Sequence, residues 1–380
     1  MKILIASDSF KGSLSSFEVG KAAKRGILKY DPHIDVDIAG IGDGGDGSMD
    51  VIKHSLPDTK SIEFNTLDLL GRPIQSEYLM TTFKNKPMAI IETANTVGID
   101  LIEPSPKTFE KATSFPVGSQ IRDAIQKGAR KIIVLTGGTG VSDGGLGLLQ
   151  ALGVNFYDQD DHLIGREKNL LCTEFSRIDG LKEVMRQLYN IQIVLASDVD
   201  NPYSGKNGSQ VIYGPQKGGT KVQIQAHDRH LQSFEKMIEP YVLKDVGSIP
   251  GAGAAGGIGG VLLALGALCE SGFDVIAEMT GLEEKVSRAD LIITGEGRLD
   301  LQTHHGKAPF RVIQMAHEMH KPVVLIAGRL SPDLRSLDKL NVPYFSIQRG
   351  PSSAKHAMDK RFASDNISSL VNNLIKFYRA

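Results

Sequence analysis

The sequence has no tryptophan, and its two cysteines, Cys172 and Cys269, form no CxxC pair. Two thiols cannot cross-link a chain of 380 residues, so the sequence argues against a disulfide-stabilised secreted protein and predicts a reduced, cytoplasmic one. It also has no run of lysine and arginine, and its formal net charge is −1. This charge balance argues against a surface that binds nucleic acid or an anionic membrane.

Long apolar segments are missing as well. The amino-terminal MKILIAS is too short for the apolar core of a signal peptide. Residues 247–269 carry no charge, but only VLLALGALC is strongly apolar there, well short of the about 20 residues that span a bilayer. We therefore expect no transmembrane span, and we interpret this segment as a buried helix with a glycine-rich face.

The chain does contain a regular alternation of short apolar runs and helical stretches. Runs of strand length lie at 3–6, 34–40, 131–138, 191–197, 290–297 and 322–328, and the stretch 17–30 has helical spacing. Strands that alternate with helices predict an α/β fold with a parallel, helix-covered sheet. Two alternating runs around a Gly-Arg-Pro turn, between about 60 and 92, predict an antiparallel hairpin.

The length predicts two domains, because 380 residues exceed the usual size of a single core. The hairpin interrupts the parallel pattern and suggests that one domain is inserted into the other. We expect residues 1–71 and 251–380 to form a Rossmann-like parallel-sheet domain that is discontinuous in sequence. Residues 72–250 then form the inserted α/β domain.

Polar clusters follow the predicted strands, where each strand ends. They read DSFKGS (8–13), GDGGDGS (42–48), TGGTGVSDGG (136–145), SDVDNP (197–202) and TGEGRLD (294–300). Ligands of parallel α/β sheets bind beyond the carboxyl ends of the strands. Polar clusters at successive strand ends therefore predict one shared ligand-binding cleft.

The first two clusters have the composition of an anion site. In the first, Lys11 can hold a phosphate while Ser13 and backbone N–H groups at the start of the next helix complete the cradle. A helix capped by Ser15 or the next serine explains part of the same pattern. In the second, Asp46 can serve as a helix N-cap, but Asp43 comes too early for that role and is the functional candidate.

The third and fourth clusters add glycine backbones and acids. Gly137 and Gly138 leave N–H groups open to an anion, although a glycine packing turn without a ligand is the alternative. Asp198 and Asp200, two residues apart, suit Mg²⁺, and one of them can instead accept the proton of a substrate hydroxyl. An Asx-turn is the alternative for this pair. Further along, Lys217 lies in a glycine-flanked loop, a setting typical of a mobile phosphate contact.

The last third of the chain contains two further candidates. Gly253 and Gly256 belong to a GxGxxG match, but no convincing strand precedes it, and a phosphate-facing helix start or close helix packing explains it better than a dinucleotide site. The HHGKA end of the stretch 294–308 lacks the glycine and the Ser/Thr of a Walker A motif, and its adjacent histidines make a poor zinc pair. The polar candidates of that stretch are Glu296, Arg298, Asp300, Thr303 and Lys307.

The residues together indicate a reaction type. Acids able to bind Mg²⁺, several lysines, an arginine and glycine loops suited to anions occur here without a Walker A motif. Phosphoryl transfer depends mainly on positioning and on charge neutralisation. The pattern therefore predicts a small-molecule kinase that is not a P-loop enzyme. A Rossmann-type NAD(P)-dependent oxidoreductase, which shares the glycine loops, is the alternative.

The order of the motifs resembles that of one known family. DSFKGSLS, GDGGDGS, SDGGLGLLQALG, SDVDNPYSG, YGPQKGG, PGAGAAGGIGG and ITGEGRLDLQTHHGK occur in the order seen in bacterial glycerate kinases of type 1, over nearly the whole chain. The family's usual Thr-Asn pair is Val141 and Ser142 here. We expect this departure to affect a substrate or nucleotide contact rather than the reaction.

The resemblance implies ATP-dependent phosphorylation of D-glycerate with Mg²⁺, in a site between two α/β domains. It favours 2-phosphoglycerate over 3-phosphoglycerate as the product, and it leaves another small hydroxy acid as the alternative acceptor. Asp200 is the expected metal ligand. The protein is expected to act on small molecules as a monomer or a homodimer.

The motifs also imply residue roles. Asp198 is expected to deprotonate or orient the acceptor hydroxyl, and Lys11 to neutralise charge on the transferred phosphoryl group. Asp43 is expected to be a third catalytic residue, in the surroundings of the Mg²⁺ and the phosphate. Arg298 is expected to bind the glycerate carboxylate, because a guanidinium fork matches it, and Asp143 to contact the substrate. The expected nucleotide- and phosphate-binding residues are Ser13, Gly137, Gly138, Lys217, Gly253, Gly256, Glu296 and Lys307.

Overall fold

The computed structural model describes residues 1–165, 169–242, 245–299, 307–331 and 341–380. Its strands are β1 (Lys2–Ser7), β2 (Asp35–Gly40), β3 (Lys60–Leu67), β4 (Pro73–Phe83), β5 (Lys86–Glu92), β6 (Lys131–Leu135), β7 (Asn155–Tyr157), β8 (Arg177–Asp179), β9 (Gln192–Ala196), β10 (Leu268–Glu270), β11 (Leu291–Leu299), β12 (Val323–Leu330) and β13 (Tyr344–Ser346). Its α-helices are α1 (Ser16–Tyr30), α2 (Ser48–Ser55), α3 (Ala94–Val97), α4 (Pro106–Lys111), α5 (Phe115–Gln126), α6 (Leu146–Leu152), α7 (Leu181–Leu188), α8 (Ser209–Tyr213), α9 (Lys221–Ile238), α10 (Ile258–Ala264), α11 (Gly272–Thr280), α12 (Leu282–Arg288), α13 (Ala308–Glu318), α14 (Ala354–Ala357) and α15 (Lys360–Tyr378). Short 3₁₀ helices cover Ile99–Leu101, Leu170–Cys172, Pro215–Lys217, Glu239–Tyr241, Val246–Ser248 and Ala254–Gly257.

The chain forms two compact units. Unit 1 contains Met1–Asp43, Asp50–Pro57 and Phe273–Ala380, and unit 2 contains Gly44–Met49 and Asp58–Gly272. The sequence predicts domain boundaries at 71/72 and 250/251, whereas the chain passes from one compact unit to the other near 57/58 and 272/273. The physical reason is strand pairing, because β3 pairs with β4 along its whole length and β10 pairs with β9. A division into independently folding domains stays a prediction.

Unit 1 is a doubly wound parallel sheet. Its five strands are all parallel and follow the order β13-β12-β11-β1-β2. Successive residues of β1 point to opposite faces, so Ile3 and Ile5 pack in one core with α1 and α15, and Leu4 and Ala6 pack in another with α11 to α13. The strand order reverses between β1 and β11, the position at which such sheets bind ligands.

A capping box defines the start of α1. The Glu18 backbone N–H donates to Ser15 Oγ at 3.2 Å, and the Ser15 N–H donates to Glu18 Oε2 at 2.8 Å. This pair confirms the predicted cap at Ser15 and ends the loop that follows β1. Residues 8–14 therefore lie between a buried strand and a fixed helix start.

Unit 2 contains a six-stranded mixed sheet in the order β10-β9-β6-β5-β4-β3. The four strands β5, β6, β9 and β10 are parallel, and β3 and β4 add the antiparallel hairpin that the sequence predicts. Residues 247–269, interpreted above as a buried helix with a glycine-rich face, include the helix α10, whose Ile258, Val261 and Leu262 are buried. No helix in the described part of the chain combines the length and the apolar character needed to cross a bilayer.

The structure confirms the predicted fold class. The apolar runs near 3–6, 34–40, 131–138, 191–197 and 322–328 correspond to β1, β2, β6, β9 and β12. The predicted strand at 290–297 is β11, which continues to Leu299. The fold is mixed α/β, with parallel pairing dominant and unit 1 discontinuous in sequence.

Candidate active site

A cavity of about 400 Å³ lies in unit 1 at the carboxyl ends of its parallel strands. Its wall includes residues from the loop after β1, Asp43 after β2, the ends of β11 and β12, and Ile347 and Gln348 after β13. This is the strand-order reversal at which ligands bind in doubly wound sheets. The apolar side chains that line the cavity are those of Phe10, Ile347, Ala354, Ala357, Met358 and Ala363.

The loop after β1 is fixed by backbone contacts with β11. The Asp8 N–H donates to Gly295 O at 2.9 Å, and Ser7 Oγ donates to the same oxygen at 3.0 Å. Gly12 has a φ of +76°, and a Cβ there would lie 2.5 Å from Met358 Cε. The positive φ favours glycine at this position, whereas Met358 Cε ends a flexible side chain that can move aside.

Four cationic side chains line the cavity: Lys11, Arg298, Lys307 and Arg329. Lys307 Nζ lies 3.1 Å from Glu296 Oε2, and Glu296 is buried. Arg298 and Arg329 are register partners on β11 and β12. A concentration of positive charge at strand ends is a site for an anion.

Three carboxyl groups also line the cavity, those of Asp8, Asp43 and Glu296. Burial, together with the charges of Asp43 and Glu296, raises the pKa of Asp8 to about 7. The Ser9 N–H, which donates to Asp8 Oδ1 at 2.6 Å, and the Lys11 ammonium oppose that rise in pKa. Asp8 therefore exchanges a proton near neutral pH, which is a property typical of catalytic sites.

The cavity unites six of the residues that the sequence singles out: Lys11, Ser13, Asp43, Glu296, Arg298 and Lys307. Ser13 Oγ is buried and has no hydrogen-bond partner among the described residues. Asp300, Thr303 and the adjacent histidines at 304 and 305 lie outside the described residues.

Sequence reasoning missed Asp8 and Arg329 as members of this set. Both follow the strand-end rule, since Asp8 comes directly after β1 and Arg329 is the next-to-last residue of β12. That rule applied to the run at 322–328 would have found Arg329. No sequence signal indicates the apolar lining residues of α14 and α15, because these helices reach the cavity only through tertiary packing.

In unit 2, Asp198 and Asp200 follow the end of β9. Asp198 Oδ1 accepts a hydrogen bond from the Gly272 N–H at 3.0 Å. Both carboxylates are exposed, and together with burial they raise the pKa of the Cys269 thiol. Their roles as base and metal ligand stay predictions.

For Asp143 the geometry favours a structural role, and the predicted substrate contact stays a prediction. Its side chain is fully buried. Oδ2 accepts hydrogen bonds from Ser114 N at 2.6 Å, Ser114 Oγ at 2.8 Å, Thr113 Oγ1 at 3.2 Å and Gly147 N at 3.2 Å, and Oδ1 accepts one from Gly145 N at 3.1 Å. Burial raises the pKa of this carboxyl, and the hydrogen bonds from Ser114, Gly145 and Gly147 oppose that rise. The carboxylate joins the start of α5 to that of α6.

The geometry of Lys217 also favours a structural role, and its phosphate contact stays a prediction. The sequence predicts a mobile phosphate contact, but the residue is 2% exposed and its Nζ donates to Val141 O at 2.6 Å. Burial lowers the pKa of Lys217 to about 8, and the charge of Asp143 partly opposes that change. The geometry favours a lysine that ties its loop to residue 141.

The glycines of unit 2 that the sequence predicts to bind phosphate make packing contacts, and their phosphate-binding role stays a prediction. The Gly137 N–H donates to Gly44 O at 3.2 Å, the Gly138 carbonyl accepts from Ile99 N at 2.8 Å, and the Gly253 N–H donates to Asn201 O at 2.8 Å. Gly256 accepts a hydrogen bond from Gly144 N at 3.0 Å and has no room for a Cβ beside Val141 O. The GxGxxG match follows a short 3₁₀ helix rather than a strand, so it lacks the context of a dinucleotide site.

Within the described residues, one exposed turn gathers potential metal ligands: Asp158, Asp160 and His162. Asp158 Oδ1 accepts hydrogen bonds from Asp160 N at 3.0 Å and from His162 N at 2.9 Å. The turn geometry explains the proximity of these side chains without an ion.

Comparison with known proteins gives the family. A sequence model of the Glycerate kinase family matches residues 3–379. The chain belongs to the glycerate kinase family. It is 35% identical to a glycerate kinase of Bacillus cereus, covering 100% of this chain and 98% of that relative. It is 34% identical to the glycerate 2-kinase of Escherichia coli K12, covering 98% of this chain and 97% of that relative.

A solved structure agrees with this assignment. The crystal structure described as that of a glycerate kinase 2 from Salmonella typhimurium LT2 has a TM-score of 0.85 and 32% identity, over 100% of this chain and 98% of that one. As a member of the glycerate kinase family, the protein is a kinase, a phosphotransferase with an alcohol group as acceptor. The predicted reaction class is confirmed.

Proposed function

We propose that this member of the glycerate kinase family transfers the γ-phosphoryl group of ATP to D-glycerate, with 2-phosphoglycerate as the favoured product. The observation that carries the proposal is the cavity of unit 1, where four cationic side chains lie at strand ends, in a chain that matches the family over residues 3–379. Phosphoryl transfer requires neutralisation of charge on the phosphoryl oxygens, and these side chains can supply it. The preference for the 2-hydroxyl rests on the relative from E. coli, a glycerate 2-kinase.

On the nucleotide side, Lys11, Lys307 and Ser13 are the proposed phosphate ligands. Lys11 is exposed on the loop after β1, and Lys307 directly precedes α13. Lys307 also contacts Glu296, so a phosphate that binds there shares the ammonium with this carboxylate. The buried Ser13 hydroxyl, partnerless within the described residues, is a further donor at the cavity wall.

On the acceptor side, Arg298 is the proposed partner of the glycerate carboxylate, since a guanidinium binds a carboxylate through two parallel hydrogen bonds. Asp198 is the proposed residue that orients or deprotonates the acceptor hydroxyl, a role worth about 10²–10⁴-fold in rate. Asp198→Asn is then expected to remove most turnover while ATP affinity stays nearly unchanged. Turnover like that of the wild type in Asp198→Asn would overturn this assignment and direct attention to Asp8, whose pKa of about 7 suits proton transfer.

Mg²⁺ is the proposed metal ion of the reaction, and carboxyl groups of the cavity are candidate ligands for it. Asp43 and Glu296 offer the oxygen ligands that Mg²⁺ prefers, next to the lysines proposed to bind phosphate. Kinases hold this ion with one or two acids together with substrate phosphates, and the bound ion neutralises phosphate charge. Asp200, an exposed carboxylate of unit 2, stays the metal ligand predicted from the sequence.

A coupled assay of ADP release tests the proposal. The assay is run with D-glycerate, hydroxypyruvate and other small hydroxy acids, each with and without Mg²⁺. We expect ADP release that depends on D-glycerate and on the ion. Release with a different hydroxy acid alone contradicts the acceptor. A change in nicotinamide absorbance without ADP release contradicts the reaction and supports an oxidoreductase.

A further inference from the structure

Arg329 lies on the wall of a cavity and has no partner among the residues that the structure describes. It lies near the carboxyl end of β12, it is exposed, and it lines the cavity of unit 1. Within the described ranges, its guanidinium makes no hydrogen bond, ion pair or ring contact. An arginine has five N–H donors in a fixed plane, and here they are available to a ligand.

The neighbour of Arg329 on the next strand is a second arginine. Arg298 and Arg329 are register partners on the parallel strands β11 and β12, and both line the same cavity. Partners on adjacent strands are about 4.8 Å apart and project their side chains from the same face of the sheet. Two like charges at that spacing repel each other, so the pair is unfavourable unless a negative charge lies between or above the two guanidinium groups.

The cavity wall carries four cationic side chains and three carboxyl groups. Glu296 contacts Lys307 at 3.1 Å, and Asp8 lines the same wall. Asp43 is the third acid, set against four cationic side chains. The cavity therefore has an excess of positive charge that an anionic ligand can balance.

The backbone next to Arg329 is held by another residue of the cavity wall. Gln348 Nε2 donates to Gly328 O at 3.2 Å, and Gln348 N–H donates to Ser346 Oγ at 3.1 Å. Gly328 itself approaches β11 so closely that a Cβ there would lie 2.5 Å from Gly297 O. The end of β12 is thus fixed against β11, so the strands hold the two arginines side by side before any ligand binds.

We propose that Arg329 and Arg298 form a two-arginine site for an oxyanion group of a substrate, either the carboxylate of the acceptor or a phosphate of the nucleotide. The inference rests on the proposed function for the identity of the substrates, but the site itself rests on the register of the two strands. Two guanidinium groups can bind two oxygens of one carboxylate or phosphate, and Arg329 then helps to determine which substrates bind.

The test compares Arg329→Ala and Arg329→Lys with the wild type in steady-state kinetics, varying D-glycerate and ATP separately. We expect Arg329→Ala to raise KM for one substrate by about ten- to a hundredfold, the effect typical of a lost hydrogen bond to a charged group. The effect on kcat should be much smaller. Arg329→Lys should recover only part of the loss, because lysine keeps the charge and lacks the planar fork. A rise confined to D-glycerate assigns the carboxylate, and a rise confined to ATP assigns a phosphate.

Arg361→Ala is the matched control, since Arg361 is an exposed arginine of the same unit and does not line the cavity. Its kinetics should equal those of the wild type. Thermal unfolding of each variant shows that the fold is kept. Unchanged KM values for both substrates in a folded Arg329→Ala protein would overturn the inference.

Calorimetric titration with ATP, D-glycerate and inorganic phosphate separates this inference from the proposed function. If the wild type binds one of these anions and Arg329→Ala binds it at least about tenfold more weakly, the two-arginine site stands even when D-glycerate is not phosphorylated. If the wild type phosphorylates D-glycerate and Arg329→Ala matches it in both titration and kinetics, the function stands and the two-arginine site does not.

Discussion

Replacement of Asp143 by asparagine is the sharpest test of the structural role proposed for that residue. The substitution preserves size and shape and exchanges one carboxylate oxygen for an NH₂ group. If the amide oxygen takes the place of Oδ2, it keeps the contacts with Thr113, Ser114 and Gly147 as weaker, neutral hydrogen bonds. The new NH₂ group then faces the Gly145 N–H, which lies 3.1 Å from Oδ1 in the wild type.

The expected magnitude follows from this geometry. Two donors, the asparagine NH₂ and the Gly145 N–H, are left without an acceptor at a site where Asp143 is fully buried. Each buried unsatisfied donor costs about 1–3 kcal/mol, so we expect the free energy of unfolding of unit 2 to fall by about 2–4 kcal/mol after local relaxation. KM for both substrates of the folded variant should stay unchanged, because the carboxylate is turned towards its own chain.

The assay combines urea unfolding, followed by circular dichroism, with hydrogen exchange measured by mass spectrometry on peptides from α5 and α6. Peptide resolution is needed because a chain of two compact units need not unfold in a single transition. Asp160→Asn, at an exposed site of the same unit, is the control and should leave both readouts unchanged. An Asp143→Asn protein with unchanged stability and exchange but a KM for D-glycerate raised tenfold or more would refute the reasoning and restore the substrate role.

Three further predictions concern single charged residues. The pKa of Asp8 is about 7, above its ordinary 3.8, so the native state binds the proton more tightly and wild-type stability falls as pH rises between these two values. Asp8→Asn should therefore be more stable than the wild type at pH 8 by about 1–2 kcal/mol, allowing for solvent screening, and equal to it at pH 3. An equal difference in stability at both pH values, measured by urea unfolding, would contradict this prediction. The pKa of Lys217 is about 8, below its ordinary 10.5, so the free-energy penalty of burying its ammonium is relieved as pH rises between these values. From pH 7 to pH 10 the stability of the wild type should rise by about 1–3 kcal/mol relative to that of Lys217→Met. Curves of stability against pH that run parallel for the two proteins would argue against a buried ammonium. Lys11 is exposed, so Lys11→Ala should keep the melting temperature of the wild type. Its kcat should fall by about 10²–10³-fold, because the charge proposed to stabilise the transferred phosphoryl group is lost. A kcat like that of the wild type would exclude a role in phosphoryl transfer.

Much of the fold could be predicted from the sequence because its apolar runs end in polar clusters. That pattern indicated the parallel strands, the hairpin around Gly71 and the loops that carry Lys11, Asp43 and Glu296 to one edge of a sheet. The unit limits could not be predicted in the same way, because they depend on which strand β3 and β10 pair with. Pairing between distant segments has no local signature in a single sequence.

The candidate site could be predicted only where chemistry and chain position coincide. Asp143 and Lys217 look functional in sequence because charged residues in glycine loops usually are, and only the packing reveals that both are buried and bonded to their own chain. Arg329 looks ordinary in sequence, and its importance comes from a register partner some thirty residues away on β11. Burial and register are tertiary properties, and they decide which charged residues can meet a ligand.

The most direct test of the central claim is identification of the product by NMR. The purified full-length protein is incubated with ATP, Mg²⁺ and D-glycerate, and ¹H–³¹P correlation identifies the carbon that carries the new phosphate ester. We predict stoichiometric ADP and a phosphorus coupled to the proton on C2, as in 2-phosphoglycerate. Coupling to the protons on C3 would contradict the predicted regiochemistry, and the absence of any phosphate ester of glycerate from the active, folded protein would contradict the function itself.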